Sequence, residues 1–330
     1  MSPRTARRAP WQLGEEVVEP GRRRQVELPI GSLVTGTPIG LRVQVLHGRR
    51  EGPVAWLTAA IHGDEIQGVE VIRRVLAEVD PRRLAGTLLA IPVVNVHGFV
   101  TGDRYLPDRR DLNRSFPGSR RGSLAARIAD VIMRDVIRGA AFGIDLHTGA
   151  FGRSNLAQIR ADLSDDTTRE LAEVFGAPIT IDARVRDGSL RQAATEAGTR
   201  VLLFEGGEAL RFDEPSIAAA TSGVLRVLRH TGMLDDEGDS SGRTVFSSGS
   251  GWIRATRSGV VHPEVVLGDT VERGQVVATV YGPHGERLSR LKTRTDGVII
   301  GMAQHPLVNR GDAVLHVASV PAGTRSQDVQ

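Results

Sequence analysis

The 330-residue sequence contains no cysteine. Disulfides and thiolate–zinc sites are therefore excluded, and any transition-metal site must draw on His, Asp or Glu. Lysine is almost absent: Lys292 stands alone, and the other basic residues are arginine. That reconciles a pI near 10.0 with a formal net charge of only +3. The arginines are dispersed along the chain and only 4% of residues are aromatic, a pattern that argues against a nucleic-acid groove. No apolar run approaches the ~20 residues of a membrane span. The opening MSPRTARRAPWQLGEE also lacks the apolar segment of a secretory signal. These absences point to a cytoplasmic protein without nucleic-acid or membrane partners; a homo-oligomer is compatible with them.

What is present, 40% hydrophobic and 25% charged residues, suits a globular chain long enough for one large domain and one small one. Residues 1–24, rich in Arg and Pro, read as a mobile arm. From 25 to 234, apolar strand-like runs alternate with amphipathic segments. PVAWLTAAI is followed by Ile66, Val69, Ile72, Val75, Leu76 and Val79 at helical spacing. TLLAIPVVNV (87–96), FGIDLHTG and TRVLLFEGG (199–207) read as further strands, and the segments 123–137, DDTTRELAEVFG and DEPSIAAATSGVLRVLRHTG as helices. This alternation predicts an α/β fold with a mostly parallel or mixed sheet flanked by helices. A polar linker follows at 235–249. Residues 250–320 read as short strands and Gly turns, predicting a small all-β, barrel-sandwich-like domain before a tail at 321–330. Within it, GVVHPEVVLGDTVERGQVVATV (259–280) is echoed by GVIIGMAQHPLVNRGDAVLHV (297–317), so the two halves suggest pseudo-twofold symmetry.

Four polar residues stand where strands end: His62, Glu65, His147 and Glu205. Ligands of open α/β sheets bind beyond the carboxyl ends of the strands, so these residues can meet at one edge. His62 and Glu65 in AAIHGDEIQG, joined by His147 of DLHTG, make two imidazoles and one carboxylate with an open fourth position, a catalytic zinc set. Glu205, an acid in an otherwise apolar run, is then a candidate general base for zinc-activated water. Asp64 reads instead as a helix-start residue. The long loop RYLPDRRDLNRSFPG (104–118) carries Arg104, Arg109, Arg110 and Arg114. Arginine is the natural fork for a substrate carboxylate.

Taken in order, H-G-D-E, D-L-N-R-S-F-P-G, D-L-H-T-G and F-E-G-G-E resemble the succinylglutamate desuccinylase/aspartoacylase family of the zinc carboxypeptidase-like superfamily. The likeness runs from about residue 30 to 320 and is greater to the bacterial deacylase branch than to mammalian aspartoacylase. It implies a carboxypeptidase-like fold with one zinc per subunit on His62, Glu65 and His147. It further implies Glu205 as catalytic base, Asn113 and Arg114 as the grip on a substrate carboxylate, and one arginine polarising the scissile carbonyl. Arg104 is the choice for that arginine and Arg109 its rival. No additional substrate-carboxylate arginine is matched; Tyr281 is the candidate for a C-terminal substrate tyrosine.

The expected function is thus hydrolysis of a linear amide in a small N-acyl amino acid or related compound bearing a carboxylate. A zinc carboxypeptidase- or esterase-type hydrolase acting on a peptide or ester is the alternative, followed by a non-catalytic zinc-binding protein. Glu208 is a lesser candidate base, and His97 reads as structural. The two-half β pattern resembles lipoyl and biotinyl domains, but their carrier lysine is missing near Gly282–Gly285, and Lys292 falls in the next strand. A lid or wall for the active site is expected instead.

Overall fold

A computed structural model describes residues 8–32, 35–235, 243–320 and 323–324. Strands β1 (Trp11–Leu13) and β2 (Glu16–Val18) form an antiparallel hairpin. Strands β3 (Arg22–Ser32) and β4 (Pro38–His47) pair antiparallel along their length. Val26, Leu28 and Ile30 of β3 alternate inward, whereas Arg22, Arg23 and Arg24 stay exposed. The expected arm is therefore ordered from residue 8 onward. Its arginines suggested mobility, but Leu13 and Val18 are buried against the same core as Val26 and Leu28. Residues 1–7 of that arm lie outside the described residues.

The central strands are β5 (Arg50–Ala59), β6 (Ala85–Ile91), β7 (Phe142–Gly149) and β10 (Arg200–Glu208), all parallel. Between them along the chain lie α1 (Gln67–Glu78), α2 (Val96–Thr101) and α3 (Leu124–Ile132), followed by β8 (Arg153–Ala161), α4 (Asp166–Phe175), β9 (Ile179–Asp182) and α5 (Leu190–Glu196). Helix α6 (Glu214–His230) closes this region. Strand β6 stops at Ile91, before Pro92, and Asn95 caps α2 by accepting from the Gly98 N–H; the expected strand over 87–96 is shorter for that reason. One face of the sheet is covered by Val71, Ile72 and Val75 of α1, Leu171 and Phe175 of α4, and Ile217, Val224 and Val227 of α6. The other is covered by α3, α5 and the N-terminal hairpin. These two apolar layers are the physical reason the central strands read as continuous hydrophobic runs.

The C-terminal strands are β11 (Val245–Ser247), β12 (Ser250–Arg254), β13 (Gly259–Pro263), β14 (Thr270–Val271), β15 (Val276–Tyr281), β16 (Arg287–Lys292), β17 (Gly297–Ala303), β18 (Leu307–Val308) and β19 (Ala313–Ser319). Each repeat half supplies a strand, a short strand and a strand: β13, β14, β15 and then β17, β18, β19. Four of them form a separate antiparallel sheet ordered β16-β15-β13-β18. The others do not form an isolated domain. Strands β12, β19 and β17 continue the main sheet in the order β12-β19-β17-β8-β10-β7-β5-β6-β4-β3. The seam is the pairing of β17 with β8, Gly301 opposite Asn155 and Ala303 opposite Arg153. Of the expected linker, Val245–Ser247 adds to the sheet beside β9, and 236–242 lie outside the described residues. No helix among the described residues is long and apolar enough to cross a membrane.

Candidate active site

The carboxyl ends of β5, β7 and β10 meet at one edge. Ala59 is the register partner of Leu146, and His147 that of Glu205. The chain leaves β5 through Ala60, whose φ of 48° is a left-handed conformation rare for a residue with a side chain. The following turn carries His62, Gly63, Asp64 and Glu65. Gly63 is required by close packing: a Cβ there would lie 2.0 Å from the carbonyl carbon of Gly98 in α2. Helix α1 begins only at Gln67, with Ile66 at its cap position and no side-chain cap. Asp64 lies in the turn that leads into the helix rather than at its cap position. It is buried, its Oδ1 has no partner, and burial, then the Glu65 charge, raises its pKa.

His62, Glu65 and His147 are buried together, with candidate ligand atoms all within 4.8 Å of one another. Nδ1 of His62 lies 2.7 Å from Glu65 Oε1, and Nδ1 of His147 lies 2.7 Å from Glu65 Oε2. Their far nitrogens face carboxylates: His62 Nε2 is 3.3 Å from Asp111 Oδ1, and His147 Nε2 is 2.8 Å from Asp145 Oδ2. Asp145 is itself fixed by the Thr58 hydroxyl, which donates to Oδ1 at 2.7 Å. Each imidazole is therefore oriented from behind by a carboxylate, the usual support of a metal-ligating histidine. Despite its proximity to Glu65, His62 Nδ1 is buried and makes no hydrogen bond. An inward-facing nitrogen without a hydrogen bond, beside a second imidazole and a carboxylate, fits a divalent cation. This group could bind a metal.

The same packing sets the charges. Burial opposes ionisation of all three residues, but their mutual attraction outweighs it. Glu65 is held well below the usual carboxylate range by His62 and His147, and both histidines are raised, His62 chiefly by Glu65 and His147 by Asp145 and Glu65. Asp111 is lowered to about 2; burial pushes the other way and is overcome by the His62 hydrogen bond.

A cavity of about 260 Å³ opens over this group. Glu205 lines it, with Oε2 accepting from the Asn155 amide at 2.7 Å and Oε1 lying 3.9 Å from Arg160 Nε. Glu208 does not line it; its carboxylate accepts from the Gly152 N–H and the Ser154 hydroxyl. Arg104 reaches the site and donates to Glu65 Oε1 at 2.9 Å. Arg109 turns away, exposed, into a separate outer groove that also takes His97. Asn113 and Arg114 both line the cavity. Asn113 Oδ1 accepts from the Leu190 N–H at the start of α5, and Arg114 donates to the Asn113 carbonyl.

Several lining residues escaped the sequence reading. Arg153, Arg160, Arg184, Arg186 and Arg191 come from β8, the 183–189 segment and α5. Arg191 is buried, its Nη1 unpartnered, and burial, then Arg160, lowers its pKa to about 10. From the C-terminal strands come Trp252 and His316, stacked at 4.4 Å with an interplanar angle of 6°. Burial, then Arg160, Arg153 and Arg186, pushes the His316 pKa down to about 3. These two rings form the wall expected of the β region, whereas Tyr281 does not line the cavity and packs edge-on against His262. Asp111 and Asp145 open the D-L-N-R and D-L-H motifs, and those two motif aspartates were the available signal.

Residues 51–231 match the family model described as the succinylglutamate desuccinylase/aspartoacylase catalytic domain. The chain is 29% identical, over 82% of its length and 84% of the relative's, to N-alpha-acetyl-L-2,4-diaminobutyric acid deacetylase of Halomonas elongata. Among solved structures, the product-bound ectoine utilization protein EutE (DoeB) of Ruegeria pomeroyi superposes with a TM-score of 0.82 at 25% identity, covering 94% of this chain and 98% of that one. A succinylglutamate desuccinylase/aspartoacylase of Rhodobacter sphaeroides has the same fold, with a TM-score of 0.80 at 24% identity and coverage of 92% and 96%.

Proposed function

Because the chain belongs to the succinylglutamate desuccinylase/aspartoacylase family and is an amide-bond hydrolase acting on non-peptide C–N bonds, we propose that it is a zinc-dependent deacylase of a small N-acyl amino acid. One observation carries the metal assignment: two imidazole Nδ1 atoms converge on the Glu65 carboxylate, and the His62 one is buried without a hydrogen bond. The absence of cysteine and the mixed N/O donor set suit zinc at a catalytic site. Seven cavity arginines, Arg104, Arg114, Arg153, Arg160, Arg184, Arg186 and Arg191, against Glu65 and Glu205 support a substrate that bears a carboxylate.

Zinc held by His62, Glu65 and His147 would supply Lewis acidity, lowering the pKa of water toward ~7 and polarising the acyl carbonyl. Glu205 takes the proton from the attacking water and returns it to the leaving amine. Asn155 orients Glu205 by donating to Oε2, which leaves Oε1 for the proton. Arg104 is placed to donate to the carbonyl oxygen as negative charge develops there, and Asn113 with Arg114 grips the substrate carboxylate. Trp252 and His316 exclude water from the far side of the cavity.

The test is release of free amine from a panel of N-acetyl, N-succinyl and other N-acyl amino acids, with dipeptides and esters beside them, before and after chelation. Chelator-sensitive turnover of the N-acyl compounds is expected, restored by zinc. Turnover of peptides or esters alone, or unchanged rates in the chelated protein, would overturn the proposal.

A further inference from the structure

Strand β12 ends the large sheet and β16 ends the four-stranded sheet. Between these two edges lies a groove of about 880 Å³. Its charged lining is Arg254, Arg290, Lys292, Arg294 and Arg310, and among the described residues no aspartate or glutamate lines it. The bias is local, because the whole chain is nearly balanced, with 42 basic and 39 acidic residues. Elsewhere arginines commonly meet carboxylates, as Arg74 meets Glu70 and Glu214, and Arg134 meets Asp130 and Asp135. Among the described residues, none of the five groove cations has a carboxylate within 4.0 Å. Arg254 is held along the rim by its bond to the Gly311 carbonyl. Hydroxyl groups of Ser250, Thr256, Thr293 and Ser319 also line the groove. The single lysine of the chain is one of the five.

Like charges gathered without counterions repel one another and are relieved by a bound anion. We propose that this groove is a second binding site, separate from the catalytic cavity, for a compact oligophosphate-bearing small molecule. Its volume is that of a small-molecule site. Among the described residues Trp252 is the only aromatic side chain in the lining, which does not present the stacked rings with which proteins hold single-stranded nucleic acid. Five cations from three chain segments match several phosphate charges on one ligand better than a lone carboxylate. Trp252 also lines the catalytic cavity, so an occupant of the groove touches the strand that walls the substrate site.

The probe is inorganic tripolyphosphate, titrated calorimetrically into the zinc-loaded full-length protein at low and moderate salt. Saturable one-to-one binding that weakens steeply with salt is expected. The double variants Arg290→Ala/Lys292→Ala and Arg294→Ala/Arg310→Ala should each weaken it by at least ~10-fold and retain basal turnover. Arg186→Ala, in the catalytic cavity, should leave it intact. Tripolyphosphate should also change the tryptophan fluorescence of the wild type but not of Trp252→Phe. Absence of binding, unchanged affinity in both double variants, loss confined to Arg186→Ala, or binding of an oligonucleotide in clear preference to tripolyphosphate would each overturn the proposal.

Discussion

His147 and Glu205 are register partners on adjacent parallel strands, and the register shifts only after Glu205, on the way to Glu208. Side chains at paired positions project to the same face. A proposed metal ligand and the proposed base are therefore placed side by side by the sheet itself, with Glu208 beyond the irregularity and outside the cavity.

Replacing Glu205 with Gln keeps the side-chain shape and removes the proton acceptor. Turnover should fall by ~10²–10⁴-fold, with zinc content by elemental analysis unchanged. Loss of the metal together with activity would assign Glu205 to the ligand set instead.

Asp145 touches no proposed substrate atom but holds His147 Nε2 at 2.8 Å. Asp145→Asn should weaken zinc binding by ~10–100-fold in a competitive chelator titration. His62→Ala, which removes a ligand outright, should yield protein purified without stoichiometric metal.

The two rival arginines are separated by position. Arg104→Ala should lower kcat/KM by at least ~10²-fold, as loss of an oxyanion donor does. Arg109→Ala, exposed in the outer groove, should stay within about twofold of wild type. Equal losses in steady-state kinetics would contradict this division.

Gly63 tests the packing of the metal-bearing turn. A methyl group at 2.0 Å from the Gly98 backbone cannot be accommodated without movement. Gly63→Ala should destabilise the fold by about 1–3 kcal/mol or more, read as a lower denaturant midpoint.

His316 gives stability a pH dependence of definite sign. Its folded pKa, about 3, lies below the unfolded value. Between the two, the unfolded chain binds a proton that the folded chain does not, so this contribution is complete above pH ~6.5 and is lost as pH falls toward 3. Over that window the wild type should lose stability more steeply than His316→Gln in denaturant titrations. Parallel curves would show that His316 is protonated without cost.

Much of the central site was legible because strand ends are marked twice, by the close of an apolar run and by a polar residue out of place. His62, His147 and Glu205 all carry that mark. The arginine-rich wall was not legible, because Arg153, Arg160, Arg186 and Arg191 lie among many dispersed arginines and only their convergence distinguishes them. The order of the expected arm was hidden by its composition: Arg22, Arg23 and Arg24 of β3 are exposed, while Leu13 and Val18 of the hairpin pack inward. The join between the two regions was hidden for a different reason. Strand pairing of β17 with β8 links residues about 150 apart along the chain, and neither segment reveals its partner.

That join bears on how such a chain can be divided. Strand β8 gives its later residues to β9 and its first residues to β17, and Asn155, which holds Glu205, sits in the part given to β17. A catalytic half cut before residue 250 would lose Trp252 and His316 and bare the backbone edge beside its own base. The C-terminal strands thus share one continuous sheet with the strands that carry the candidate site, and a cut at 250 would break it at β8.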